Sequence, residues 1–252
     1  MTHKSAMGWV VAAGMAATCL TMSMTSRGDQ AAPEKPGSQQ PQHFEREITV
    51  TVKLNYLVYL PPDYLAEKRE FPLLVFLHGS GERGNDLDLV KKHGPPKLIE
   101  EGKQFPFIVV SPQAARRGWD PDALNALIDG LLAKYRVDKN RVYLTGLSMG
   151  GSGTWALAAA HPEKFAAIVP ICGAGDPADA EKLKDIPTWI FHGARDTDVS
   201  VRRFDEMVKA LKDAGAKSLG YTLYPDTEHD SWTKTYENAD LYTWLLKHSR
   251  SQ

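Results

Sequence analysis

Six short, nearly continuous apolar runs constrain the fold of this chain more than any other feature of its sequence. Strands that are buried on both faces have this pattern, whereas a half-exposed strand alternates apolar and polar residues. Segments with the pattern of helices lie between several of these runs, so we expect a mostly parallel, doubly wound sheet with helices on both faces. The predicted strands are residues 73–77, 107–110, 142–145, 167–171, 189–191 and 221–224, and the predicted helices are residues 122–135, 150–160, 201–214 with Gly215 as C-cap, and 236–247.

The start of the folded region has a different pattern. Residues 47–53 alternate polar and apolar side chains with a period of two, and a second run, residues 56–60, follows them before two prolines. This arrangement is typical of two antiparallel strands at the edge of a sheet. The predicted fold class is therefore α/β, with an antiparallel N-terminal strand pair added to the parallel sheet.

The first 43 residues differ in composition from the rest of the chain. Residues 6–24 contain no charged side chain and follow a weakly basic start, which is the composition of a secretory signal peptide. Residues 27–43 are rich in Pro, Gln, Gly and Ser, which bury too little apolar surface to fold. We expect a signal peptide over residues 1–26, a disordered linker over residues 27–43 and one folded domain over residues 44–252.

Export to the periplasm or the extracellular space follows from that interpretation. Cys19 leaves open a lipoprotein signal, in which the cysteine becomes lipid-anchored, although residues 16–18 match a lipobox poorly. An uncleaved N-terminal anchor also stays open, but the apolar run is short for a bilayer span of ~20 residues. We expect a membrane contact only through such an anchor.

Composition excludes several classes of function. The 30 basic residues are balanced by 31 acidic ones, so the chain has no excess of positive charge with which to bind nucleic acid. Its two cysteines, Cys19 and Cys172, provide neither a disulfide framework nor a cysteine-based zinc site. The oligomeric state has no signature in the sequence.

The segment from Gly146 to Gly150 is the motif G-x-S-x-G, and it lies between a predicted buried strand and a predicted helix. In that position the motif describes a nucleophile elbow, a strained turn that lifts a serine hydroxyl above the end of the sheet. Ser148 is therefore the candidate nucleophile. The alternative is a glycine-rich turn with a serine that has no chemical role.

A serine hydroxyl needs a base, and the base needs an orienting acid. Of the eight histidines, His229 alone lies on a loop between the last predicted strand and the final helix, so it is the candidate base. Asp196 is the candidate acid from its spacing after a strand end, and Asp198 is its competitor, although it could instead cap the helix near Val201. The chain order serine, aspartate, histidine is that of the α/β hydrolases.

Two other histidines, His78 and His192, each end a predicted strand and precede glycine, and we expect them to support the backbone of the following loop. A metal site built from these two with Asp196 and His229 stays open on spacing alone, although no H-E-x-x-H helix supports it. We predict no metal.

Acyl transfer also requires hydrogen-bond donors for an oxyanion. The main-chain N–H of Met149, the residue after the candidate nucleophile, is the first candidate. The second is the main-chain N–H of Ser80, with Gly81 as the alternative, in the glycine-rich loop after the strand 73–77. That loop lacks the Lys-Ser/Thr ending of a phosphate-binding loop.

These motifs resemble those of the α/β-hydrolase superfamily over nearly all of residues 47–248. Within it the chain is similar to the predicted-peptidase branch, near the dienelactone hydrolases, the prolyl oligopeptidase catalytic domains and the secreted feruloyl and acetylxylan esterases. The resemblance implies an α/β-hydrolase fold and a serine esterase with no cofactor. The motifs that carry it are Leu77-His78-Gly79-Ser80-Gly81-Glu82-Arg83-Gly84, Ser111-Pro112-Gln113, Gly146-Leu147-Ser148-Met149-Gly150-Gly151, His192-Gly193-Ala194-Arg195-Asp196 and His229-Asp230-Ser231-Trp232.

The substrate we expect is a small-molecule or polysaccharide-linked ester, because export on a flexible linker suits polymers outside the cytoplasm. Trp119 and Trp232 are the candidate substrate-binding residues, since either ring could stack on a sugar or a phenolic acyl group, but core packing is an equal alternative for each. Two other functions stay open: cleavage of short peptides with the same triad, and an inactive, hydrolase-like binding module.

Overall fold

The structure is a computed structural model, and it describes Glu45, Thr49 and residues 51–250. The compact unit that holds the sheet is bounded by Val50 and Gln252, and the unit before it runs from Met1 to Thr49. The predicted signal peptide (1–26) and linker (27–43) lie outside the described residues. Within the described residues, no helix combines the length and apolar character needed to cross a membrane.

One seven-stranded sheet organises the described unit, with the strand order β1-β3-β2-β4-β5-β6-β7. β1 pairs with β3 in the antiparallel sense, and all the other neighbouring strands are parallel. The predicted fold class is confirmed. The strands are β1 (Asn55–Tyr59), β2 (Phe71–Leu77), β3 (Ile108–Gln113), β4 (Val137–Leu147), β5 (Ala167–Ile171), β6 (Thr188–Gly193) and β7 (Leu219–Tyr224).

Helices surround this sheet, and three of the four predicted helices begin and end within about two residues of their expected bounds. The α-helices are α1 (Gly94–Glu100), α2 (Pro121–Lys134), α3 (Met149–Ala160), α4 (Ala180–Leu183), α5 (Val201–Asp213), α6 (Trp232–Glu237) and α7 (Ala239–Leu246). Short 3-10 turns occupy Ser80–Glu82, Leu87–Lys92, Pro162–Lys164 and Pro177–Asp179. Gly215 follows the end of α5 with a φ of 80°, as a residue just beyond a helix C-cap does.

Both faces of the sheet are buried along its central strands, which explains the continuous apolar runs there. The run 221–224 is an exception to that prediction, because β7 is an edge strand in which Tyr221 and Leu223 are 50% and 40% exposed. Along β2, Leu73, Val75 and Leu77 belong to one hydrophobic cluster, while Leu74 and Phe76 belong to another. Because successive side chains of a strand point to opposite faces, the two clusters lie on opposite sides of the sheet. The first cluster packs against α2, α3 and α5, and the second against α6 and α7.

Two details of the predicted secondary structure are wrong. The predicted partner of the edge strand, residues 47–53, forms no strand at its described positions Thr49 and 51–53. β1 pairs instead with β3, and Val52 remains 41% exposed, so it gains no buried face from strand pairing. The predicted helix 236–247 is two helices, since Asn238 ends α6 and its side chain accepts a hydrogen bond from the Asp240 N–H as the N-cap of α7.

Candidate active site

Ser148 occupies a sharp turn between the end of β4 at Leu147 and the start of α3 at Met149. Its φ is 52° and its ψ is −114°, a conformation that costs free energy for any residue with a Cβ. The Ser148 N–H donates to the Ile171 carbonyl at 2.9 Å, which holds the turn against β5. The geometry is that of the predicted elbow.

Glycine on either side of Ser148 is required by close backbone approach. A Cβ at Gly150 would overlap the carbonyl oxygen of Leu77, where β2 ends. A Cβ at Gly146 would overlap the carbonyl oxygen of Gly150 itself. The first turn of α3 is therefore packed directly on the main chain of β2, and no side chain fits between them.

Gly150→Ala is expected to lower the free energy of unfolding by about 1–3 kcal/mol or more, because overpacking forces the backbone to move. Gly130→Ala is the matched control, since an added Cβ there meets nothing within 4 Å on the exposed face of α2. The control should be stabilised by about 0.5–1 kcal/mol through helix propensity. Urea unfolding of both variants measures the two changes, and equal changes would contradict the close approach.

Ser148, His229 and Asp196 form one hydrogen-bonded relay above the carboxyl ends of β4, β6 and β7. The Nδ1 of His229 lies 2.8 Å from Oδ2 of Asp196, and its Nε2 lies 2.9 Å from Oγ of Ser148. A carboxylate only accepts hydrogen bonds, so the proton of the neutral ring is on Nδ1. Nε2 therefore accepts from the serine hydroxyl, which is the arrangement that general-base activation requires.

Asp196 is buried, with 7% of its surface exposed, and N–H groups meet both of its carboxylate oxygens. Oδ1 accepts from the main-chain N–H groups of Asp198 and Val199, each at 2.9 Å. The competing acid, Asp198, is exposed, and its side chain is not the cap of α5. Ser200 is that cap, because its hydroxyl accepts from the N–H of Arg202.

His78 and His192 support loops, as their positions predict. The Nδ1 of His78 donates to the Gly79 carbonyl, and its Nε2 accepts from the Ala114 N–H at 3.0 Å. Burial lowers the pKa of His78, so the ring is neutral at pH 7. His192 lies with Nε2 2.8 Å from the Val199 carbonyl oxygen.

The hydrogen bonds of the histidines limit which of them could bind a metal ion. Both nitrogens of His78 are used by the backbone, so this ring has no free lone pair for a metal. Among the described residues, Asp196, Asp198 and His229 bring one ligand atom each within 4.8 Å of one another. An ion there would have to replace the hydrogen bond between His229 and Asp196 and the N–H donors on the carboxylate.

The two candidate oxyanion donors follow the ends of adjacent strands. Met149 is the first residue of α3, and Ser80 is the first residue of the 3-10 turn that follows β2. N–H groups in the first turn of a helix have no acceptor within that helix. β2 and β4 are neighbours in parallel register with Leu77 opposite Gly146, so both loops leave the sheet at the same edge. Gly81 is the next residue of the same turn.

Cys172 lies directly under the elbow. It is the second non-glycine residue with a positive φ, 40°, in the described part of the chain, and its N–H donates to the Phe191 carbonyl. Burial raises the pKa of the Cys172 thiol to about 12. The thiol is therefore protonated at neutral pH and takes no part in the relay.

Trp119 packs beside the elbow. Its Nε1 donates to the His78 carbonyl oxygen at 3.3 Å, and the two rings meet edge to face at 4.8 Å. A Cβ at Gly153 in α3 would contact the indole, so the ring lies flush on that helix. It also borders a cavity of about 260 Å³ whose other lining residues include Leu54, Ala114, Ala115, Arg116, Gly118 and Ala123.

Trp232 packs against the candidate base. Its ring contacts the ring of His229 edge to face, with centroids 5.3 Å apart and an interplanar angle of 86°. His93 contacts the same indole at 5.5 Å. Both predicted tryptophans therefore lie close to the relay or its supporting loop.

Sequence reasoning missed the neighbours of the relay that are brought in by tertiary packing. His93 lies in a loop with no strand end beside it, yet its Nε2 is 3.7 Å from Oε1 of the buried Glu82. His192 lies 3.2 Å from Oδ2 of Asp196 as well as close to the Val199 carbonyl. For His192 the separation of four residues from Asp196 is a usable signal, but nothing in the sequence joins His93 to Glu82.

Comparison with known proteins identifies the family. A family profile described as "Putative esterase" matches residues 49–207, which is more than half of the chain. The chain belongs to this esterase family. The resemblance to α/β hydrolases inferred from the motifs is confirmed at the level of the family and the fold.

This chain matches different shares of the length of the proteins to which it is similar. The bifunctional acetylxylan esterase/xylanase XynS20E of Neocallimastix patriciarum is 28% identical over 128 residues. That matched segment is half of this chain and 18% of the length of XynS20E. A thermostable esterase of known crystal structure is 36% identical with a TM-score of 0.67, over 78% of this chain and 60% of that protein. Acetyl xylan esterase from Aspergillus awamori, 17% identical over 77% of this chain and 95% of its own, shares the fold with a TM-score of 0.61.

Proposed function

We propose that the protein is a serine hydrolase that cleaves carboxylic esters through an acyl-enzyme. Ser148 is the nucleophile, His229 the general base and Asp196 the acid that orients the base. The observation that carries this proposal is the continuous relay from Ser148 Oγ through both nitrogens of His229 to Asp196 Oδ2. Membership of the esterase family supports the same reaction class.

In the first step Ser148 Oγ attacks the ester carbonyl carbon, and its proton moves to Nε2 of His229. The imidazolium that forms keeps its Nδ1 hydrogen bond to Asp196, whose negative charge stabilises it. The carbonyl π electrons move onto the oxygen, which becomes the oxyanion of the tetrahedral intermediate. The main-chain N–H groups of Met149 and Ser80 are the donors we propose for that oxyanion.

The intermediate collapses when the bond to the leaving alcohol breaks and Nε2 of His229 returns its proton to the departing oxygen. Water then attacks the acyl-enzyme, with His229 acting again as general base, and releases the carboxylic acid and free Ser148. An ester suits this site because an alkoxide is a better leaving group than an amine. The residues described here complete the cycle without a cofactor.

The substrates we propose are acyl or phenolic esters of carbohydrates outside the cytoplasm. The acetylxylan esterase named in one relative supports this class. Trp232 supplies aromatic surface beside His229, and Trp119 supplies it beside the elbow, which suits a sugar ring or an aryl acyl group. Export through residues 1–26, a linker over 27–43 and a catalytic domain over 44–252 complete the proposal, with Cys19 as the site of a lipid anchor if one is added.

A substrate panel tests the reaction class. The full chain is assayed on 4-nitrophenyl acetate, methyl ferulate, acetylated xylan and a peptide anilide, with and without prior treatment by a serine-directed phosphonate. We expect ester turnover that the phosphonate abolishes and that chelator leaves intact. Cleavage of the anilide alone would replace the proposal with a peptidase, and phosphonate resistance with loss in chelator would replace it with a metal hydrolase.

Trp232→Ala is expected to raise the KM for methyl ferulate about 2- to 10-fold more than the KM for 4-nitrophenyl acetate, because an aromatic pair adds about 0.5–1.5 kcal/mol. Trp244→Ala is the control, since that indole contacts the rings of Trp189 and His248 rather than the relay. Steady-state kinetics on both esters give the ratio. Equal increases in KM for the two esters would remove Trp232 from the acyl pocket.

A further inference from the structure

A second imidazole, that of His192, lies close to the proposed acid Asp196 and has no role in the proposed proton transfers. His192 is next to last in β6, and 1% of its surface is exposed. Its ring packs against that of Phe204 on α5, with centroids 5.6 Å apart. A buried polar ring is stable only when its nitrogens find partners, so the atoms that it meets indicate what it does.

The Nε2 of His192 faces two oxygens. One is the Val199 carbonyl oxygen at 2.8 Å, and the other is Oδ2 of Asp196 at 3.2 Å. A carbonyl can only accept, so Nε2 carries a hydrogen and donates it to Val199. The same N–H group lies close to the carboxylate oxygen of Asp196, as an electrostatic contact rather than a second hydrogen bond.

The same carboxylate oxygen accepts from Nδ1 of His229. Oδ2 of Asp196 therefore accepts a hydrogen bond from His229 and lies 3.2 Å from the Nε2 of His192. Val199 closes the arrangement, because its N–H donates to Oδ1 of Asp196 while its carbonyl accepts from His192. His192 thus holds the turn whose N–H groups bind the carboxylate, and its own N–H group lies beside that carboxylate.

We propose that His192 is a positioning residue for the acid of the triad. This inference rests on the proposed function, in which Asp196 orients His229. Without the Nε2 donor, the turn to Val199 loses one hydrogen bond, so the N–H groups that hold Oδ1 of Asp196 are less firmly placed. Fewer molecules then hold His229 in line with Ser148, so the rate of acylation falls while substrate binding is unchanged.

Three substitutions separate this role from simple filling of space. His192→Phe keeps an aromatic ring of similar size but removes the donor. His192→Gln retains a donor amide about as far from the main chain as Nε2, and His192→Asn retains a donor that is too short to reach. If His192 only fills space, the Phe variant should be the more active of the two. If its hydrogen-bond donor matters, the Gln variant should be the more active.

The experiment measures kcat and KM of the full chain on 4-nitrophenyl acetate, together with the second-order rate of phosphonate inactivation. In metal sites, loss of a residue that holds a ligand in place costs about 10- to 100-fold, and we expect a loss of the same order in kcat and in the inactivation rate for Phe and Asn. KM should stay within about twofold. Gln should recover the rates to within about fivefold of wild type.

Equal losses for Phe and Gln, or a Phe variant with wild-type kcat, would overturn the proposal. Thermal unfolding accompanies each assay, and if Phe fails to fold, the comparison of Gln with Asn decides the question, because only Gln reaches the acceptor. A wild-type enzyme that is resistant to the phosphonate would instead overturn the serine mechanism itself. The two failures are therefore distinguishable.

Discussion

Ser148→Ala is expected to abolish ester turnover, with a loss in kcat on the order of 10⁶-fold, because no acyl-enzyme can form without the hydroxyl. Folding should be unaffected, since the alanine side chain fits where serine does and the main-chain hydrogen bond to Ile171 remains. The measurement is turnover of 4-nitrophenyl acetate by the purified variant, with the mass of the phosphonate adduct as a second readout. Wild-type protein should gain one adduct and the variant none.

Ser80→Ala is the matched control for that experiment. Ser80 is exposed, and its proposed contribution is the main-chain N–H, which alanine retains. We expect its kcat to remain within about twofold of wild type, because the oxyanion donor is unchanged. Turnover that survives in Ser148→Ala would require another nucleophile, and loss of activity in Ser80→Ala would show that the hydroxyl itself takes part.

Asp196→Asn is expected to lower kcat on the order of 10⁴-fold, as amide replacement of a triad acid does. The reason lies in the three N–H groups that donate hydrogen bonds to the carboxylate. If the amide nitrogen replaces Oδ2, it forces Nδ1 of His229 to accept and puts the ring in the wrong tautomer. If it replaces Oδ1, it meets the N–H groups of Asp198 and Val199, and the turn must open.

Asp198→Asn is the control, because its carboxylate lies two residues away on the same loop and is exposed. We expect it to retain kcat within about threefold of wild type. Both variants are assayed on 4-nitrophenyl acetate, and thermal unfolding is recorded so that a loss of folded protein is not read as a loss of chemistry. The reverse ranking, with Asp198→Asn the less active, would identify Asp198 as the acid.

Much of the site could be predicted because its signals are local. Gly146 and Gly150 surround Ser148 within five residues, and the turn they permit is dictated by the close approach of α3 to β2. Parallel strands bring their carboxyl ends to one edge, so the loops with Asp196 and His229 were expected to meet there. The positions of these two residues after predicted strands were enough to select them as the candidate acid and base.

Other features depend on tertiary contacts that leave no pattern in the chain. Alternation over residues 47–53 indicates a surface suited to a strand, but the pairing partner depends on which edge is free, and β3 takes β1. Tertiary packing also decides whether residues 232–246 form one continuous helix or two helices that are capped at Asn238. The approach of His93 to Glu82 joins two loops that are independent in sequence.

The Cys172 thiol beneath the elbow can report how often the turn around Ser148 unfolds locally. Because Cys172 is closely packed and its pKa is about 12, a maleimide cannot reach a reactive thiolate while the turn around Ser148 is intact. The rate of labelling at neutral pH therefore measures how often this part of the molecule unfolds locally, in a Cys19→Ser background that leaves one thiol. Local opening of the elbow can thus be followed in solution without any substrate.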